Sequence, residues 1–185
     1  ALPILLTLAR RDPERPDTLA REWLPLAPLL QRLRDERALL PGEAAEGAPQ
    51  LELECRVDQI HAHPVLLHGA LRNLVENAAR HGPRGGRIVL RAEPLPGGGV
   101  RTAVLDDGPG VDPALRQRLS ERFFRVLTST QEREGVPGGS GLGLSIVART
   151  VELHRGTLRF EDGLPRPATP DGRAHGLGVV IDWPA

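Results

Sequence analysis

The sequence predicts an α/β fold, a two-layer sandwich in which about three helices cover one face of a mixed five-stranded sheet. Three observations carry that prediction. Five short segments alternate or run apolar as strands do: LELECRV, RIVLRAE, VRTAVLD, TLRFED and GVVIDW. Three longer segments place apolar residues at helical spacing. Helices and strands are interleaved along the chain, with a hairpin among them, which suits a mixed sheet carrying one helical layer.

Taken in order, residues 1–11 read as the end of an amphipathic helix, with Leu2, Leu5, Leu6 and Leu8 on overlapping faces. The polar, proline-bearing run at 12–22 reads as a linker. Residues 23–40 turn helical from about Ala27, and Pro41-Gly42 stops them. Residues 43–50 are a loop, and LELECRV at 51–57 alternates like a half-buried strand. Pro64 to Arg80 forms a helix with Leu67, Leu71, Leu74 and Val75 as its apolar stripe, ended by Gly82-Pro83. Strands at 87–93 and 100–106 are joined across PLPGGG as a hairpin. Residues 112–126 read as short helical pieces ending in Phe-Phe-Arg, and 127–140 as a polar loop. LGLSIVARTVELH, 142–154, is a strongly amphipathic helix. TLRFED and GVVIDW close the sheet, with 163–176 as the loop between them.

Composition narrows the class. A chain of 185 residues holds one globular domain plus an attachment. A formal net charge of zero provides no field to draw nucleic acid or an acidic membrane. The single cysteine, Cys55, cannot form an internal disulfide and reads as a small buried residue. No run of 18 apolar residues is present, and ALPILLTLA is far too short to span a bilayer. Because the chain opens on a helical pattern already in progress, it reads as a piece of a longer protein.

Three constellations carry chemistry. The only two asparagines, Asn73 and Asn77, stand four apart in LRNLVENAARHG, so they share a helical face with Cβ atoms about 6 Å apart. A carboxamide offers a neutral oxygen to a hard cation and an NH₂ to phosphate oxygens, so the pair suggests a metal-assisted polyphosphate site. A helix cap or a buried hydrogen bond is the competing reading. The second constellation is LDDGPGV, 105–111. Gly108 and Gly110 clear the way for a flat ligand, and an ionised Asp at the pocket base accepts from an amine such as that of adenine. An acidic β-turn is the plainer alternative.

The third is PGGSGLGLSIV, 137–147, where four glycines lead straight into an apolar helix. Main-chain N–H groups at a helix N-terminus, with no side chains in the way, make an anion site to which Ser140 could add a hydroxyl. Walker A loops and Ser/Thr/Tyr kinases need a lysine, and all 24 basic residues here are arginine. The glycine spacing does not fit a Rossmann fingerprint. His61, His63 and His68 lack other metal ligands nearby and read as surface or packing residues.

In combination these motifs resemble the catalytic ATP-binding domain of bacterial sensor histidine kinases, in the superfamily shared with gyrase, Hsp90 and MutL. The likeness covers roughly residues 24–185. LRNLVENAARHG resembles the N box, LDDGPGV the G1 box, SERFFR the F box and GGSGLGLSIV the G2 box. The resemblance implies ATP and Mg²⁺ as cofactors. Asn77 takes the position of the Mg²⁺ ligand, and Asn73 supports the metal and phosphates. Arg80 matches a phosphate-contacting basic residue, and His81 stands where a Tyr beside the base is usual. Asp106 matches the adenine-reading Asp, in a pocket shaped by Gly108 and Gly110. Phe123 and Phe124 match the F box that anchors a mobile ATP lid, read at 127–138, and Arg125 matches an Arg near the terminal phosphates. Gly139, Ser140, Gly141, Leu142, Gly143 and Leu144 fall on the phosphate-facing loop.

In hydrolysing relatives a water-activating Glu stands four residues before the metal-binding Asn. Here that residue is Asn73, a poor base, so the resemblance implies a site that holds Mg-ATP for transfer; Glu76 is the neighbouring acid with residual base potential. Three departures from the pattern are His63-Pro64 before the N box, His154-Arg-Gly156, and a weak last glycine box at Gly176-Leu-Gly178. None of the six histidines has the setting of a phosphoacceptor. The expectation is therefore a tail of dimerisation helix plus linker at 1–22 and a catalytic domain at 23–185. The γ-phosphate would pass to a histidine on the dimerisation domain and then to a response regulator. The full protein would be a membrane-bound homodimer with this domain in the cytoplasm, and the isolated chain a monomer that binds no nucleic acid. The alternatives are an ATPase of the wider superfamily or a degenerate interaction module.

Overall fold

The computed structural model describes residues 19–38, 47–121, 142–168 and 172–185. A short strand β1 (Glu22–Pro25) leads directly into helix α1 (Leu26–Ala38). Strands β2 (Gln50–Cys55) and β3 (Gln59–Ala62) follow, then the long helix α2 (Pro64–His81). β4 (Arg87–Pro94) and β5 (Val100–Asp106) form the hairpin expected across PLPGGG. Helix α3 (Pro113–Arg116) continues into a 3₁₀ turn at Gln117–Ser120. Helix α4 (Gly143–Leu153) precedes β6 (Thr157–Pro165) and β7 (His175–Trp183).

The main sheet has five strands in the order β2-β4-β5-β7-β6. β2 runs parallel to β4, and the other neighbours are antiparallel. The parallel pair exists because α2 serves as the crossover between β2 and β4. β1 pairs with β3 as a separate two-stranded ribbon, Trp23 opposite His61.

This ribbon is a correction to the sequence reading. Glu22 to Pro25 is extended rather than linker and helix lead-in, and QIHA is a strand that the sequence did not disclose. β6 and β7 also run further toward each other than the loop assigned to 163–176 allowed.

Strand alternation sorts the two faces. Leu90 and Ala92 of β4, Val104 of β5, and Val179, Ile181 and Trp183 of β7 point into the core shared with the helices. They meet Leu26, Leu30 and Leu33 of α1, Leu67, Ala70, Leu71 and Leu74 of α2, and Val147 and Val151 of α4. Each fully buried Leu or Ile contributes about 1.5–3 kcal/mol. Trp183 fits because its indole N–H donates to Thr102 Oγ1 at 2.9 Å.

The opposite face carries ion pairs. Arg87 grips Glu52 through two bonds of 3.0 and 3.1 Å, and Arg91 donates to Glu54 at 2.6 Å. Asp182 accepts from both Arg101 and Arg159. The guanidinium of Arg101, ahead of that of Arg159, holds the Asp182 carboxyl down at about 2.

α2 is built from both ends. Pro64 supplies the fixed φ of the first turn, and the ring Nδ1 of His63 accepts from Leu66 N–H at 3.4 Å. At the other end Gly82 N–H donates to Ala78 O at 2.8 Å. Eighteen residues give a rod of about 27 Å that crosses the core and carries both asparagines.

Candidate functional site

Asp106 closes β5 and is buried. Its Oδ1 accepts from Gly108 N–H at 2.8 Å and from Leu177 N–H at 3.1 Å. Oδ2 makes no hydrogen bond to a described residue. Burial pushes the carboxyl above its ordinary value, against the pull of those two amides. One oxygen is thus fixed by the fold, and the other is left for an external donor.

Glycines make this geometry possible. A Cβ on Gly108 would lie 2.7 Å from Asp106 Oδ1, and one on Gly176 would lie 1.9 Å from Asp106 O. Gly110 has φ +66, and its Cβ would meet His175 O at 2.5 Å. The start of β7, at His175 and Gly176, is therefore packed onto the Asp-Asp-Gly-Pro-Gly turn. Arg173 Nε donates to Pro109 O at 3.1 Å and reinforces that contact. Gly176 and Leu177, read in the sequence only as part of a weak last glycine box and not as candidate site residues, lie against Asp106. The signal was the Gly-Leu-Gly step inside a strand pattern, which marks close backbone approach.

Asn73 and Asn77 lie one turn apart on α2, both half-buried. Neither amide makes a hydrogen bond to a described residue, so neither is explained as a cap or a buried structural bond. Glu76, between them in sequence, pairs with Arg72 at 2.6 Å. Arg80 and His81 are exposed in the last turn. Gly82, just beyond, approaches the Asp106 turn: its Cα is 3.5 Å from the Cβ position of Gly108. The end of α2 and the Asp106 turn are thus neighbours.

Helix α4 packs against α2. Its N-cap, Leu142, gives no side-chain hydrogen bond to the first turn. Ser145 Oγ turns back to Leu142 O at 2.9 Å. A Cβ on Gly143 would touch nothing within 4 Å. Among the described residues nothing there has a steric need of glycine, and no described residue accepts from the first N–H groups of the helix. Leu144 is half-buried behind them. Phe123, Phe124, Arg125, Gly139, Ser140 and Gly141, with the lid segment at 127–138, lie outside the described residues.

The histidines of the early metal question serve separate neighbours. His61 stacks on Trp23 at 5.1 Å, His63 caps α2, and His68 lies beside Glu36.

Comparison with known proteins decides the family. Residues 62–183 match the histidine kinase-, DNA gyrase B- and HSP90-like ATPase family. The chain belongs to this family. The match begins at the end of β3 and ends at Trp183, so it contains the Asn helix, the Asp106 turn and the start of α4. Among curated relatives, the signal transduction histidine-protein kinase/phosphatase MprB of Mycobacterium ulcerans is 41% identical over 112 residues, 60% of this chain and 21% of that protein. The chain thus spans about a fifth of that relative's length. Among solved structures, a mycobacterial sensor histidine kinase MprB aligns with TM-score 0.70 at 27% identity, covering 89% of this chain and 97% of that one. Full-length ShkA in complex with AMPPNP aligns with TM-score 0.72 at 25% identity, covering 92% of this chain and 32% of that one. The mixed sheet with its helical layer is the fold of these ATP-binding ATPase domains.

Proposed function

We propose that this domain holds Mg-ATP and presents the γ-phosphate to a histidine on a dimerisation domain of the same protein, from which a response regulator receives it. The observation that carries the reading is the half-committed carboxylate of Asp106. With Oδ1 held by Gly108 and Leu177, Oδ2 accepts the exocyclic amine of adenine at the buried end of the site. The names of the curated relatives, and the AMPPNP bound to ShkA, support the same choice.

The residues fit a divalent cation. Two half-buried carboxamides without a described partner offer neutral oxygens on one helix face, with Asn77 as the ligand and Asn73 as support for metal and phosphates. Magnesium supplies neutralisation of charge on the phosphate oxygens. The main-chain N–H groups at Gly143 and Leu144 receive phosphate oxygens at the start of α4. Arg80 extends toward the phosphates and His81 borders the base. Phe124 and Arg125 are assigned to the lid anchor and the terminal phosphates, and Gly139, Ser140 and Gly141 to the phosphate loop.

Transfer rather than hydrolysis follows from the bases present. Asn73 cannot take a proton from water, and Glu76 is drawn along the helix to Arg72. The chain's own work is positioning: Asp106 fixes the base, the amides fix the phosphates, and the reacting phosphorus is left open to a histidine nucleophile. We assign residues 1–22 to the tail of the dimerisation helix and a linker, and 23–185 to the catalytic domain. The whole protein is proposed as a membrane-anchored homodimer with this domain in the cytoplasm, and the isolated chain as a monomer. Among the described residues no helix is long and apolar enough to cross a membrane.

Calorimetry with ATP, with and without Mg²⁺, tests the binding. Radiolabel transfer to a separately supplied dimerisation segment tests the chemistry. Absence of nucleotide binding would sink the reading, and brisk turnover abolished by Glu76→Gln would move it to a hydrolysing ATPase.

A further inference from the structure

His154 is the most deeply buried ionisable side chain among the described residues, 2% exposed, and the proposed nucleotide chemistry does not use it. It caps the C-terminus of α4. Its Nε2 lies 3.0 Å from the main-chain N of His63, and its Nδ1 lies 2.7 Å from Thr150 O. A main-chain N–H can only donate, so Nε2 is the acceptor and Nδ1 carries the hydrogen given to Thr150. The ring is thus one neutral tautomer, seated edge-on against Trp183 at 5.3 Å and 87°. His63 is the N-cap of α2. A single imidazole therefore ties the end of α4 to the beginning of α2.

That tie has a consequence at the far end of the helices. α2 and α4 pack along each other while the start of one is bonded to the finish of the other, so they run in opposite senses. The 11 residues of α4 span about 16 Å at ~1.5 Å each. The same length along α2 from Pro64 reaches about Leu74, between Asn73 and Asn77. We propose that His154 is a positioning residue, a neutral-imidazole latch that holds α4 in register against α2 and so keeps the start of α4 aligned with the asparagine pair. The proposal rests on the nucleotide reading of that pair.

Protonation would break the latch. A hydrogen on Nε2 would face the His63 N–H, donor against donor, and the bond would be lost. Burial lowers the His154 pKa most, the hydrogen bond to Thr150 O opposes it, and the charge of Arg21 adds to the lowering. Arg21, which donates to Leu153 O at 3.0 Å, His63 at the α2 cap and His61 on β3 are the ionisable groups that face the ring. Trp183 on β7 is uncharged. The sign follows: the latch is complete above the ordinary imidazole value of 6.5 and is lost as pH falls through the lower folded value.

The test compares the whole chain with His154→Gln, whose amide oxygen can accept from His63 N–H and does not titrate. Mg-ATP and adenosine affinities are measured by calorimetry at pH 7.5 and at a pH one unit below the midpoint of the His154 ring, read by NMR. The expected result is that the unsubstituted protein loses about tenfold more Mg-ATP affinity over that interval than His154→Gln. Adenosine affinity should change equally in the two proteins. Titration of Asp106 and of the nucleotide itself is common to both and cancels. Equal Mg-ATP losses would overturn the latch while leaving the nucleotide site intact. No Mg-ATP binding at pH 7.5 by the unsubstituted protein would instead refute the nucleotide reading. If His154→Gln does not fold, the NMR titration of the His154 ring decides. An Mg-ATP affinity that falls with the ring's own midpoint supports the latch, and one that ignores it overturns it.

Discussion

The main-chain N–H of Leu177 donates to Oδ1 of Asp106 at 3.1 Å, across 71 residues of sequence. Together with Gly108 N–H it engages one oxygen of that carboxylate in the fold and leaves the other without a described partner.

Asp106→Asn tests this division of labour. Two N–H donors force the amide oxygen into the Oδ1 position, so the NH₂ must replace Oδ2. A donor then faces the adenine amine. ATP affinity should fall about 10–100-fold, and GTP, whose base presents a carbonyl, should gain relative to ATP. Calorimetry with both nucleotides checks it; an unchanged ATP-to-GTP ratio would remove Asp106 from the base site.

The same carboxylate has an opposite effect on stability. Its folded pKa is raised by burial, so ionisation is a cost to the folded state that appears as pH rises through that value. Asp106→Asn should therefore melt no lower than the unsubstituted chain at pH 7, even while it binds ATP poorly. A clear drop in Tm would show that the charge supports the fold.

Asp182 behaves in the reverse manner. Its folded pKa of about 2 lies below the ordinary 3.8, so its pairing with Arg101 and Arg159 contributes fully above about 3.8 and is lost as pH falls toward 2. Asp182→Asn should cost about 1–2 kcal/mol at pH 7 and almost nothing near pH 2. Urea unfolding at both pH values measures this. ATP affinity should not change, since the pair lies on the face of the sheet away from the helices.

Gly143→Ala separates ligand from fold. The added methyl meets no described residue, and alanine is the better helix former by up to about 1 kcal/mol. Stability should hold or rise while Mg-ATP affinity drops. If affinity holds as well, the start of α4 is not a phosphate site.

Asn73→Glu puts a carboxylate where Asn73 now excludes a base. The isolated chain should gain slow ATP hydrolysis, whereas Glu76→Gln should leave hydrolysis at its baseline because Glu76 is already engaged by Arg72. A coupled phosphate-release assay distinguishes the two variants.

Much of this was legible in the sequence because strong periodicity leaves little choice. The 18-residue stripe of α2 and the β4–β5 hairpin were read within a residue or two of their observed bounds. β1 and β3 were not, because each is four residues long and takes its conformation from the other, which no local pattern records. The ends of β6 and β7 were mistaken for loop for a related reason. Gly163 and Gly176 look like turn residues, yet they are small because the Asp106 main chain presses on them from a third strand. Within the site, Asn73, Asn77 and Asp106 announce themselves by side-chain chemistry. Leu177 acts through its main-chain N–H, which every residue but proline possesses, and so leaves no trace in composition.

The β1–β3 ribbon also ties the start of the described chain to the root of the Asn helix. Glu22 is paired with Ala62, and only His63 separates Ala62 from the first residue of α2. In that antiparallel register the residue where β1 begins and the residue that leads into α2 share one end of the ribbon, so a pull on the chain at Glu22 would load the rung next to the Asn helix first.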